Sequence, residues 1–153
     1  MDMRPHLLKA VLVILAAAVP GYTQSDKPNL TGTWKLNTEK SDTGGQHVQD
    51  LIVKIEHKDP MFRYTAAGSA EGNNFEESAE LSIGGKETTA SNGLLVSARW
   101  EGNVMVATFH SADDSFSGIA RHSLSEDGKT ITRDAVIKTP EGENKQHMIL
   151  EKQ

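Results

Sequence analysis

Beyond the first 23 residues, the side chains that could do chemistry are five histidines, several arginines set among apolar neighbours, one glutamate cluster and two tryptophans. The histidines are His47, His57, His110, His122 and His147. A preformed metal site on a strand wants two of them at i, i+2, and one on a helix wants them at i, i+4. Neither spacing occurs, and the chain has no Cys, so no metal ligand is expected. Asp113-Asp114 beside His110 reads as a solvated loop. No Gly-x-Ser-x-Gly elbow is present to hold a nucleophile. Glu76, Glu77 and Glu80 could supply carboxylates for acid–base work, but a charged strand edge that resists aggregation explains them as well. Gly84-Gly85-Lys86 lacks the spacing of a phosphate-cradling loop. No catalytic residue and no cofactor are expected, and the chain does not read as an enzyme.

The arginines are more informative. Arg133 is in phase with Ile131, Ala135 and Ile137, which puts it on an apolar face. An arginine there needs a partner. It serves either as a structural lock, the simpler role, or as an anchor for an acidic ligand. Arg121 is the second candidate for the same two roles. Arg63 and Arg99 sit at the opposite phase and should face solvent.

These residues must be positioned by strands, because the apolar period is 2 almost throughout. Leu30, Gly32, Trp34 and Leu36 alternate with Thr31, Thr33, Lys35 and Asn37. Leu51, Val53 and Ile55 form a second strand and Phe62, Tyr64 and Ala66 a third, joined by an Asp59-Pro60 turn. Gly68 to Asn74 reads as the next turn, followed by a weak strand over 75–82 and a short polar one over 86–90. Asn92-Gly93 is a strong hairpin signal. Leu94 to Trp100, Val104 to His110, Gly118 to Ser125, Thr130 to Thr139 and Lys145 to Lys152 complete the set. A hairpin centred near Asp114 would set His122 opposite Val106. Regular short strands without long crossovers predict an all-β, up-and-down antiparallel meander closed into a barrel of eight to ten strands. A meander left open would carry sticky edges.

Residues 1–23 read as a signal peptide and 24–153 as one domain. Ala10 to Val19 is an apolar run of ten residues, preceded by Arg4 and ended by Pro20-Gly21. That is about half of what a membrane span needs. Export without cysteine fits a periplasmic or extracellular protein of a bacterium. It also excludes a lipoprotein anchor, so no stable membrane anchor is expected. The whole chain of 153 residues carries a net charge of −5, which argues against nucleic acid as a partner.

Gly32-Thr33-Trp34, followed by Lys35-Leu36-Asn37, opens the first strand of the domain. That placement resembles the calycin group, the lipocalins and fatty-acid-binding proteins, in which a Gly-x-Trp begins the barrel and its Trp closes one end. The Trp100-Glu101-Gly102-Asn103 hairpin is similar to the fatty-acid-binding branch. A closer resemblance is to small exported bacterial proteins of uncharacterised function. These share the Gly-Thr-Trp-Lys-Leu-Asn opening, the Lys40-Ser41 that follows, and the Ser125 to Thr130 turn. The resemblance implies a lipocalin-like container and a late-strand arginine, Arg133 or Arg121, packed on Trp34 as a cation–π contact. The chain departs from the fatty-acid-binding pattern in having about ten polar residues after the first strand, where that branch has two helices. There is also no Tyr after Tyr64 to complete its carboxylate-binding pair.

The expected function is therefore binding of a small apolar or amphipathic ligand. The expected lining is Trp34, Leu36, Phe62, Tyr64, Val96, Trp100 and Phe109. The alternative is a solid barrel that serves as a structural or interaction protein of the cell envelope.

Overall fold

Alternating apolar residues commit each segment to one inward and one outward face, and ten such segments fold into one sheet. A computed structural model describes residues 26–153. The proposed leader lies outside the described residues. The strands are β1 (Gly32–Leu36), β2 (Val48–Lys58), β3 (Met61–Ala70), β4 (Asn73–Ser82), β5 (Thr88–Thr89), β6 (Leu95–Glu101), β7 (Val104–His110), β8 (Ser117–Leu124), β9 (Thr130–Thr139) and β10 (Gly142–Lys152). Among the described residues the only helical element is a 3-10 turn over Thr38–Lys40. Asn37 caps it by accepting from the Lys40 N–H.

Every neighbouring pair is antiparallel, and the order β4-β3-β2-β1-β10-β9-β8-β7-β6-β5 is an up-and-down meander. The pairing of β1 with β10 joins the two chain ends and bends the sheet into a nearly closed barrel. The seam lies between β4 and β5–β6. It is stitched by single bonds, including Ser91 N–H to the Ser78 carbonyl (2.8 Å) and Gly84 N–H to the Ala98 carbonyl (2.7 Å).

The structure shifts several expected boundaries. β3 runs to Ala70 and turns tightly through Glu71-Gly72, both at positive φ (52° and 78°), so Gly68 lies within the strand. Gly68 is needed for a different reason. β2 bulges at Asp50 (φ 52°), and the register slips between Gln49 and Ile52. A Cβ on Gly68 would meet Leu51 Cα at 2.9 Å and the Gln49 carbonyl oxygen at 3.0 Å. The bulge adds a residue, so Val48 and Leu51 both point inward. The expected strand over 86–90 shrinks to the two residues of β5.

His122 pairs with Met105 rather than Val106, because the loop after β7 closes between His110 and Ser117 and centres half a residue before Asp114. That register sends Arg121 outward. There it ion-pairs with Glu101, which also accepts from Arg99 Nη2 at 2.9 Å. Val106 lies between these two arginines on the outer face and is fully buried.

Candidate functional site

One end of the barrel is plugged. Trp34 is wholly buried and its indole N–H donates to the Leu30 carbonyl at 3.0 Å. Gly32 makes room for this. A Cβ there would lie 3.0 Å from Lys152 Cε and 3.3 Å from the Trp34 nitrogen. The cation over the Trp34 ring is Lys152, at 5.5 Å, so neither Arg133 nor Arg121 forms the expected lock. Leu30, Phe62, Leu81, Ile131 and Leu150 fill the same core.

His57 completes the plug. Its side chain is 2% exposed, and its Nδ1 accepts from the Leu30 N–H at 3.2 Å. Its ring stands 5.6 Å from Phe62 and 5.8 Å from Trp100. Trp100 donates to Asp59 at 2.7 Å. Of the seven expected lining residues, Trp34, Leu36, Phe62 and Val96 are therefore fully buried packing. Tyr64, Trp100 and Phe109 face inward and are only partly buried.

Beyond the plug, the inward face becomes polar. Arg133 of β9 stands directly across from His122 of β8 and Met148 of β10. Its Nη1 donates to Gln146 Oε1 at 2.9 Å and approaches the Met148 sulfur at 3.8 Å. Among the described residues no carboxylate comes within 4.0 Å of this guanidinium. The Tyr64 hydroxyl donates to Glu77 Oε1 at 2.5 Å. Glu77 is near enough to act on Arg133 through its charge without bonding to it. Gln146 is held from its other end by donating to the Thr43 carbonyl at 3.3 Å.

The electrostatics follow from enclosure. Burial pulls Arg133 below the ordinary arginine range, opposed by Glu77 and then Tyr64. Burial, and then the Glu77 bond, push the Tyr64 phenol above its usual range. His122 is pulled down to about 4, by burial first and by Arg133 second. Its ring is therefore neutral at pH 7. Arg133 and His122 are surrounded by protein, yet each retains some accessible surface on the inward side. Ala66, Ala107, Gly118 and Ile137, also inward, are likewise only partly buried. This half of the interior is less tightly filled than the plugged end.

Arg133 was legible from its phase. Gln146 has no role in the sequence reading, and His122 and Glu77 enter it only as a rejected metal ligand and an edge carboxylate, although the same signal marks all three. Each alternates in phase with apolar positions: Ala120 and Leu124, Ala79 and Leu81, Met148 and Leu150.

Two hollows lie on the outer face. One of about 490 Å3 sits over the β2 bulge, against Asp50, Ile52, Lys54, Thr65 and Glu76. The other, of about 290 Å3, lies beside Met61, Arg63 and Glu80. Among the described residues, no group of three or more His, Asp or Glu could hold a metal ion. No protein-family model and no curated protein matches the chain.

Proposed function

We propose that the mature chain is an exported container, lipocalin-like in its barrel, that holds a small amphipathic molecule with its acidic head toward Arg133. The observation that carries this reading is the largely enclosed guanidinium, whose hydrogen-bond partners among the described residues are a neutral amide and a thioether, with the Glu77 charge acting on it only at longer range. A buried cation without a close carboxylate is costly, and a ligand carboxylate would supply the missing charge and hydrogen bonds. Nε and Nη2 donate to no described residue and remain available for it. The partly buried apolar residues at the same level suit an acyl or similar tail. The Gly32-Thr33-Trp34 opening and the meander support kinship with the calycin barrels, and the leader supports export from a bacterial cell. The proposal assigns no catalytic step.

Native mass spectrometry of residues 24–153 with tetradecanoate tests it. A 1:1 adduct is expected, and it should be lost in Arg133→Met. No adduct, or one that survives the substitution, would contradict the reading.

A second reading has its own observation. The outer hollow over the β2 bulge exposes Ile52 and is the larger of the two, which suits an interaction protein. Ile52→Lys would then abolish partner capture and leave tetradecanoate binding intact.

A further inference from the structure

The His122 ring is held in one orientation by its own register. On β8 it faces Met105 on one side and Arg133 on the other, and all three side chains point inward. Its Nδ1 lies 3.3 Å from the Met105 carbonyl oxygen. A carbonyl can only accept, so Nδ1 carries the proton and Nε2 of the neutral ring carries a lone pair. Burial and the adjacent guanidinium keep the ring neutral. Among the described residues no donor reaches Nε2, yet it is not a sealed, unpaired atom.

Most of the other polar groups nearby are committed. Tyr64 gives its proton to Glu77, and Gln146 uses its oxygen for Arg133 and its nitrogen for Thr43. Beside the free donors of Arg133 the acceptors left uncommitted among the described residues are thus the neutral His122 ring nitrogen and the second oxygen of Glu77, and only the first stands directly across from Arg133. A plain carboxylate offers that nitrogen nothing, and a hydroxyl close to the carboxylate would satisfy it. Side chains at directly paired strand positions are neighbours about 5 Å apart, which suits a hydroxyl on the second or third carbon.

We infer that His122 is a specificity residue, and that the ligand class is a hydroxy acid whose carboxylate meets Arg133 and whose hydroxyl donates to His122. This inference rests on the container reading above.

Binding of tetradecanoate, 3-hydroxytetradecanoate and 3-methoxytetradecanoate to residues 24–153 is compared by native mass spectrometry or calorimetry. The hydroxy acid is expected to bind about three- to tenfold tighter than the other two, the effect of one net hydrogen bond. In His122→Phe the ratio between hydroxy and plain acid should fall to about one. Equal binding of all three acids, each weakened by Arg133→Met, would overturn the role of His122 and leave the container reading standing. A preference that persists in His122→Phe would overturn it too. If no acid binds the unmodified protein, both readings fall. The methoxy acid keeps the oxygen but replaces the donor proton with a methyl group, and the plain acid lacks the hydroxyl without added bulk, so a hydroxy acid that binds tighter than both decides the matter even where His122→Phe fails to fold.

Discussion

Replacing Arg133 by Met together with its partner Gln146 by Leu separates an anchor from a lock, because the two roles predict stability changes of opposite sign for that pair. Met matches the length of the arginine stem and brings no charge. Exchanging buried ionic groups for well-packed apolar ones is neutral or stabilising by about 1–4 kcal/mol. Among the described residues Arg133 has no carboxylate within 4.0 Å and only the longer-range charge of Glu77, so its desolvation is offset less than in a true pair, and the gain should lie toward the upper part of that range. The substitution also strips Gln146 Oε1 of its donor, which costs about 1–3 kcal/mol where water cannot replace it. The single variant should therefore be close to neutral, and Arg133→Met with Gln146→Leu should be more stable than the unmodified protein. For a domain of this size each 1 kcal/mol moves Tm by roughly 3–5 °C. Urea unfolding followed by the fluorescence of the interior Trp34 and Trp100 measures the change directly. A double variant that loses more than about 2 kcal/mol would refute the reasoning, because the guanidinium would then be holding the barrel together.

The remaining predictions concern the residues around this site. His122 has a lowered folded-state value, so the unfolded chain binds the proton more tightly. Stability should fall as pH drops from about 6.5 to about 4, by about 3 kcal/mol, and His122→Phe should flatten that slope. An unchanged slope would contradict the enclosure of the ring. His110, raised chiefly by its bond to Glu87, acts oppositely. Its contribution is present at acid pH and lost as pH rises through its elevated value. Gly68→Ala should cost about 1–3 kcal/mol in chemical denaturation, because both near contacts are backbone atoms of the bulged β2. An unaltered midpoint would mean that the bulge can yield. Trp34→Ala should cost about 3–5 kcal/mol, since it empties the plug and leaves the Leu30 carbonyl without its donor.

The fold was readable because each strand advertises its two faces and each hairpin its turn. The Val104–His110 and Thr130–Thr139 strands have the bounds the alternation gives. Gly68 misled because a glycine that admits a neighbouring backbone looks the same in sequence as a glycine that turns the chain. The β2 bulge has no local signature beyond Asp50, and its place depends on the strand across from it. Phase also placed Arg133 inside. It could not identify the cation over Trp34, because Lys152 reaches that ring only through the pairing of the first and last strands. The polar cluster was hidden for a similar reason. His122 and Gln146 reach Arg133 through the register of the strands on either side of β9, and only closure of the barrel brings Glu77 of β4 to the same level.

The central claim, that the ligand enters the barrel, is most directly tested with the methionine methyl groups. Residues 24–153 contain three methionines. Met105 and Met148 are buried on the inward face, and Met148 touches Arg133. Met61 is 47% exposed and lines an outer hollow. A methyl NMR titration of the 13C-methionine-labelled protein with tetradecanoate should shift Met105 and Met148 and leave Met61 in place. A shift confined to Met61, or no shift at Met105 and Met148 at saturating acid, would contradict an interior site.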